Sequence, residues 1–187
     1  MALNSKRFTW RHDTILSCIV KCIDTTRYEV FSDLVGHQAA GGGSIPPEIC
    51  VTNLRPDVVV VDRESQKIHL FELTMPGEHR IDVSNKLKSD KYSHFVTDCA
   101  PYTCTVTCFE ISSKGFISTR NHQNLKILHS YMTPDTKLST LKKNISALAI
   151  YTSYHIWLCR SDPLFTIPPF LPPPFSDVRS RNKGPGQ

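Results

Sequence analysis

The spacing of apolar side chains divides the chain into alternating helical and extended stretches. Ile15, Leu16, Ile19, Val20 and Ile23 recur at helical spacing, which predicts a first helix over about residues 9–28. Residues 32–53 contain "AAGGGSIPP" and read as a loop enclosing one short strand near residues 49–51. "RPDVVVVDRESQKIHLFELTM", residues 55–75, sets two apolar runs on either side of a polar turn, the pattern of a β-hairpin. A helix is expected from about residue 78 to 99, beginning just past Pro76. "YTCTVTCFEIS", residues 102–112, is rich in β-branched and aromatic residues and reads as a strand. Because a helix joins it to the hairpin, this strand is able to pair in parallel through a crossover. Two more helices are expected near residues 121–132 and 137–159, the last with Leu138, Leu141, Ile145, Leu148, Thr152 and Ile156 along one side. The expected fold is α/β, a mixed sheet flanked by helices with two helices at its C-terminal end.

The hairpin contains two acids in places that look buried. With a four-residue loop from Arg63 to Gln66, Asp62 faces Lys67, and the same register sets Asp57 opposite Glu72. Directly opposed residues share a face, with Cβ atoms roughly 4.5–5.5 Å apart. Val59 then meets Leu70 and Val61 meets Ile68 on that face, while Val58, Val60, His69 and Phe71 occupy the other. Two carboxylates this close repel, and burial adds to the cost, unless one is protonated or a cation lies between them. Mg²⁺ is the economical cation, since it takes one or two carboxylates and keeps its waters for a phosphate substrate. The hairpin alone is equally consistent with two solvated acids at a sheet edge.

The following helix changes that balance. At about 100° per residue, Ile81, Lys88, Tyr92, Phe95 and Cys99 fall within roughly 60° of one another. Lys88 lies in that otherwise apolar stripe and Lys91 on its shoulder. An inward lysine calls for a partner, which the carboxylate pair offers; the alternative is a side chain that reaches back to the helix edge. Asp57, Glu72 and a lysine on one sheet–helix seam suit metal-dependent phosphodiester hydrolysis. The acids would hold the ion, the ion would polarise a phosphate and activate water, and the lysine would support developing negative charge.

Composition narrows the class. A chain of 187 residues, 40% apolar and 21% charged, suits one soluble domain with a tail. No apolar run reaches the roughly 18–20 residues of a membrane helix. The apolar stretch 14–23 is interrupted by Lys21 and lacks a small-residue cleavage site, so an intracellular protein is expected. The seven cysteines are an odd number in a chain too long for a disulfide-stapled minidomain, so free thiols are expected, and no spacing among them matches a zinc site. The net charge of +5 mildly favours a polyanionic partner. The triple glycine at 41–43 lacks the lysine and the following helix of a phosphate cradle. Seven of the 13 prolines fall at or after residue 163, which reads as a disordered or polyproline tail over 163–187.

Pro56-Asp57, fourteen intervening residues, then Glu72-Leu73-Thr74 resembles the PD-(D/E)xK nuclease superfamily, whose common core is αβββαβ. More narrowly, the chain resembles the restriction-like endonuclease domain of site-specific non-LTR retrotransposons and related stand-alone animal sequences. "FTWRHDTIL", "LRPDVVVVD", "FELTMPGEHR", "KLKSDKY", "FEISSKGFIS" and "SYHIWLCR" stand in the order expected of such domains, and the resemblance covers about residues 7–162. It implies a Mg²⁺-dependent DNA endonuclease, with Mn²⁺ as a substitute ion, acting on DNA in the nucleus without a membrane. It also implies Asp57 and Glu72 as metal ligands, and Lys88 or Lys91, with Tyr92, as the source of the catalytic lysine. Thr74 stands where the superfamily lysine usually does, and Gly77 where an aromatic residue is expected. The reverse transcriptase and zinc-knuckle regions that precede such domains in a parent polyprotein do not occur in this sequence. A catalytically inactive DNA-binding remnant and an interaction fragment therefore stand beside the nuclease reading. Arg11-His12-Asp13 on the first helix would contact DNA phosphate, brace the site or form a salt-bridged helix start. Lys114 and Arg120 are candidate phosphate contacts or solvated loop residues.

Overall fold

Four strands form one sheet: β1 (Glu29–Ser32), β2 (Val58–Asp62), β3 (Lys67–Thr74) and β4 (Thr103–Glu110), adjacent in that order. The computed structural model describes residues 2–39, 42, 44–93, 95–162 and 165–168. The proline-rich stretch expected over 163–187 lies outside the described residues except for 165–168. Helices α1 (Ala2–Val20), α2 (Ile81–Tyr92), α3 (Phe95–Asp98), α4 (Thr119–His129) and α5 (Leu138–Leu158) flank the sheet. The fold is α/β, and its order is αβββ, then the α2–α3 crossover, β4 and two final helices. β1 and β2 pair antiparallel, as do β2 and β3, whereas β3 and β4 run parallel. This is the pairing a helical crossover allows.

The hairpin register is the expected one, with Asp62 paired to Lys67 and Val58 to Phe71. Each strand therefore sends alternate residues to opposite faces. One face, carrying Val58, Val60, Phe71, Leu73 and Phe109, packs on α1, α4 and α5 through Leu16, Ile19, Leu125, Ile145 and Leu148. The other carries Val59, Val61, Ile68, Leu70 and Cys104, and is covered by Tyr92, Phe95, Cys99, Ile45 and Ile49. All seven cysteines are free, as expected. Among the described residues no helix is long and apolar enough to cross a membrane.

Three boundaries differ from the sequence expectation. The first helix begins at Ala2 and ends at Val20, not near residue 28. Ile23 is still buried, but through an isolated antiparallel bridge to Met132, and the Asp24 carboxylate closes a turn by accepting from the Thr26 amide (3.0 Å) and hydroxyl (2.6 Å). The strand expected near 49–51 is a turn, because the Ile49 and Cys50 amides both donate to the Pro46 carbonyl, at 2.9 and 3.2 Å. The edge beside β2 is instead filled by Glu29–Ser32, between the expected helix end near residue 28 and the loop expected from residue 32. The single helix expected over 78–99 is a 3₁₀ turn (Glu78–Arg80) followed by α2 and the short α3. At the end of α2, the Ser93 hydroxyl donates back to the Asp90 carbonyl at 2.8 Å, a local bond that competes with helix propagation.

Candidate active site

The second sheet face ends in charge. Asp57 immediately precedes β2, so its register position is opposite Glu72 near the end of β3, and both are buried, at 7% and 0% exposure. Asp57 Oδ2 accepts from the Leu73 amide at 2.7 Å, tying the acid to the neighbouring strand. Lys88 arrives from α2, and its Nζ donates to Glu72 Oε2 at 2.5 Å. Ile81 and Tyr92, on the same side of α2 as Lys88, are buried, and so are Phe95 and Cys99 beyond the end of that helix.

Lys91 goes elsewhere. Its ammonium lies 4.6 Å from the centre of the Tyr92 ring and donates to the Tyr92 hydroxyl at 2.8 Å. That hydroxyl directs its own proton to the Arg55 carbonyl at 3.2 Å. Glu72 Oε1 is a fully buried oxygen that receives no well-aligned hydrogen bond among the described residues, although the Tyr92 hydroxyl is close enough to favour the ionised carboxylate. A buried acceptor left this way costs roughly 1–3 kcal/mol, more when charged, unless something else completes it.

His12 is the second cation of the site. Helix α1 packs over the hairpin so that His12 Nε2 lies 3.2 Å from Asp57 Oδ2, while Nδ1 lies 3.1 Å from Asp13 Oδ1. Burial opposes its protonation, but hydrogen bonds to Asp13 and Asp57 outweigh burial and raise its pKa to about 10. The imidazolium therefore donates from both ring nitrogens at neutral pH.

The two acids respond differently to these surroundings. Burial resists ionisation of Asp57, yet His12, Lys88 and the Leu73 amide overcome it and hold that carboxyl below the usual range. Glu72 is pushed up by burial and by the charge of Asp57, which Lys88 and the Tyr92 hydroxyl offset only in part. Burial also disfavours the Lys88 ammonium, but Glu72 and Asp57 more than compensate, so it is a firm cation rather than a base. The Cys108 thiol, across from Glu72 on β4, is raised to about 11 by burial and the nearby carboxylates, and stays protonated.

A third buried acid, which sequence reasoning passed over, ends β4. Glu110 is completely buried, accepts from Asn85 Nδ2 at 2.6 Å, and meets Arg120 Nη2 at 3.5 Å. Asn85 and Lys88 are three apart on α2, so one helix face docks on two carboxylates. Alternation along 104, 106, 108 and 110 was the available signal, since it sets Glu110 on the face of Cys104 and Cys108.

The residues read as DNA contacts are mostly engaged within the protein. Arg120 is shared between Glu110 and Asp82, the latter at 3.1 Å, and Lys114 lies 3.5 Å from Glu78. Arg11 donates to Ser153 Oγ at 3.1 Å and to the Met75 carbonyl at 3.3 Å. Arg80, Lys86 and Lys91, by contrast, are exposed around α2 and make no ion pair among the described residues.

Asp57 and Glu72 suit a hard divalent cation: they are oxygen donors on one face, and Glu72 Oε1 awaits a partner. Among the described residues no three His, Cys, Asp or Glu side chains converge on a metal position. Such an ion would rest on two carboxylates and water. No protein-family model matches the chain, and no curated protein matches it.

Proposed function

We propose that this chain is a metal-dependent DNA endonuclease domain of the PD-(D/E)xK type, retrotransposon-derived, which nicks duplex DNA by phosphodiester hydrolysis. The observation that carries this reading is the Lys88–Glu72 contact of 2.5 Å beside buried Asp57. An acid pair and a lysine on one seam are the groups such hydrolysis uses. Thr74, two residues beyond Glu72, is not a lysine, and the cation comes from α2 instead.

Asp57 and Glu72 would hold Mg²⁺, or Mn²⁺ in its place. When bound, the ion supplies Lewis-acid polarisation of the phosphodiester and a more acidic water. Lys88 contributes a fixed positive charge where negative charge develops. His12 positions Asp57 and keeps it ionised. Arg80, Lys86 and Lys91 offer a basic margin to the DNA backbone, whose recognition is largely electrostatic.

A non-catalytic DNA-binding remnant is the second reading, and one observation favours it: His12 and Lys88 already neutralise both carboxylates. Supercoiled plasmid incubated with the purified protein separates the two. Open-circle product with Mg²⁺ or Mn²⁺, absent in chelator and absent for Asp57→Ala, supports the nuclease. Plasmid that is bound but stays supercoiled with either ion leaves the remnant.

A further inference from the structure

The last helix presents an aromatic stripe that the catalytic reading does not use. Opposite its buried residues Leu141, Ile145, Leu148 and Thr152, α5 exposes Ile150, Tyr154 and Trp157. Tyr154 and Trp157 are 56% and 55% exposed, and their rings lie 6.0 Å apart, inclined by only 19°. The Arg160 guanidinium sits 4.5 Å from the centre of the Trp157 ring. At the other end of the same stripe stands exposed Lys143, and α5 contains no Asp or Glu from Leu138 to Leu158.

The stripe lies next to the carboxylate end of the sheet. Arg11 joins Ser153 on α5 to the Met75 carbonyl, directly beyond β3. On the other side, the turn after β4 presses on α5 at Gly115. That residue has φ of +77°, and an added Cβ would sit 2.7 Å from the Ser146 carbonyl and 3.0 Å from Ile150. The same turn exposes Phe116.

From these features we infer that the Tyr154–Trp157 stripe is a stacking platform for unpaired nucleic-acid bases, with Lys143 and Arg160 taking the adjacent phosphates. Near-parallel exposed rings offer stacking faces that suit any base, since every base has a π-face. Cations at both ends and no carboxylate along the helix favour a polyanion over a neutral apolar partner. Duplex DNA keeps its bases stacked on each other, so the occupant is a single-stranded segment. Binding there needs no metal and does not depend on catalysis, although a strand separated beside the candidate active site would be the natural occupant if the nuclease reading holds.

Fluorescence anisotropy of a labelled oligothymidylate with the full chain, in chelator, tests this without involving cleavage. Tyr154→Ala and Trp157→Ala are each expected to weaken single-strand binding by about tenfold, the loss of one stacked base. Trp157→Phe should restore most of it, and binding of a duplex of equal length should change by less than about twofold. Both positions are exposed, so the melting temperatures of the variants should match the parent and exclude a folding defect. The platform is overturned if the parent does not bind oligothymidylate, if the substitutions leave its affinity unchanged, or if they weaken duplex equally. Absence of plasmid nicking with these losses intact would count against the nuclease alone.

Discussion

The two faces of the sheet each bury polar groups, and they treat them in opposite ways. On the face toward α1, α4 and α5 a buried titratable residue is His69, stacked on Phe71 with ring centres 4.2 Å apart. Its ring nitrogens meet the hydroxyls of Thr107 at 2.7 Å, Thr105 at 3.0 Å and Tyr131 at 3.3 Å. Burial lowers its pKa to about 4, so it is neutral near pH 7. On the face toward α2 the polar residues are acids, accompanied by cations, and one carboxylate oxygen receives no well-aligned hydrogen bond among the described residues. Neutral, satisfied polarity serves packing; charge kept inside with a lone pair to spare is costly to a fold and useful for chemistry.

Removing the cation from the charged face should have the largest effect. Lys88→Ala is expected to reduce plasmid nicking by at least about a hundredfold, the scale of a single electrostatic donor, while DNA affinity changes little. Nicking rates and anisotropy on the same variant check both halves. Nicking at the parental rate would show that the two faces differ in charge but not in use.

On the neutral face the expected effect is on stability and depends on pH. The folded pKa of His69, about 4, lies below its ordinary 6.5, so between those values the unfolded chain binds more protons. Stability from this residue is therefore full above about pH 6.5 and is lost as pH falls toward 4, by roughly 2 kcal/mol after allowing for residual solvent access. Between about pH 7.5 and 4.5 the urea midpoint of the parent should fall relative to that of His69→Leu as the medium becomes acidic. Parallel curves would mean that His69 is not held neutral by burial.

Lys91→Ala should matter least. Its ammonium rests on Tyr92 and contacts no carboxylate among the described residues, so nicking should persist. DNA affinity should fall a few-fold, and the slope of log affinity against log salt should shrink by about one. Loss of nicking from this variant, with Lys88→Ala active, would exchange the two lysines' roles.

What the sequence made legible follows from range. The hairpin register is a short-range matter of loop length and alternation, and it put Asp57, Glu72 and their valines where they are found. Lys88 was legible for the same reason, since helical phase needs only local counting. β1 was obscured because Tyr28–Ser32 follows directly on a helical apolar pattern that ends in a bridge to Met132, a partner far along the chain. His12 could be flagged as a site residue but not assigned to Asp57, since that contact depends on how α1 crosses the sheet. Strand alternation pointed Glu110 inward, but its partners Asn85 and Arg120 come from two helices, so its burial beside the acid pair depends on tertiary packing.

The crossover between β3 and β4 also divides the site between two parts of the chain. Asp57 and Glu72 come together on a hairpin that closes over four residues, whereas Lys88 is delivered only when the chain from α2 through α3 docks. α2 is anchored by few apolar side chains, Ile81 and Tyr92 being its only buried ones. Such a segment opens locally at a lower free energy than the strands beneath it. Backbone amides of α2 should accordingly exchange with deuterium before those of β2 and β3. In each such opening the acids would keep their register while their cation departs, so the complete site exists only while α2 is docked.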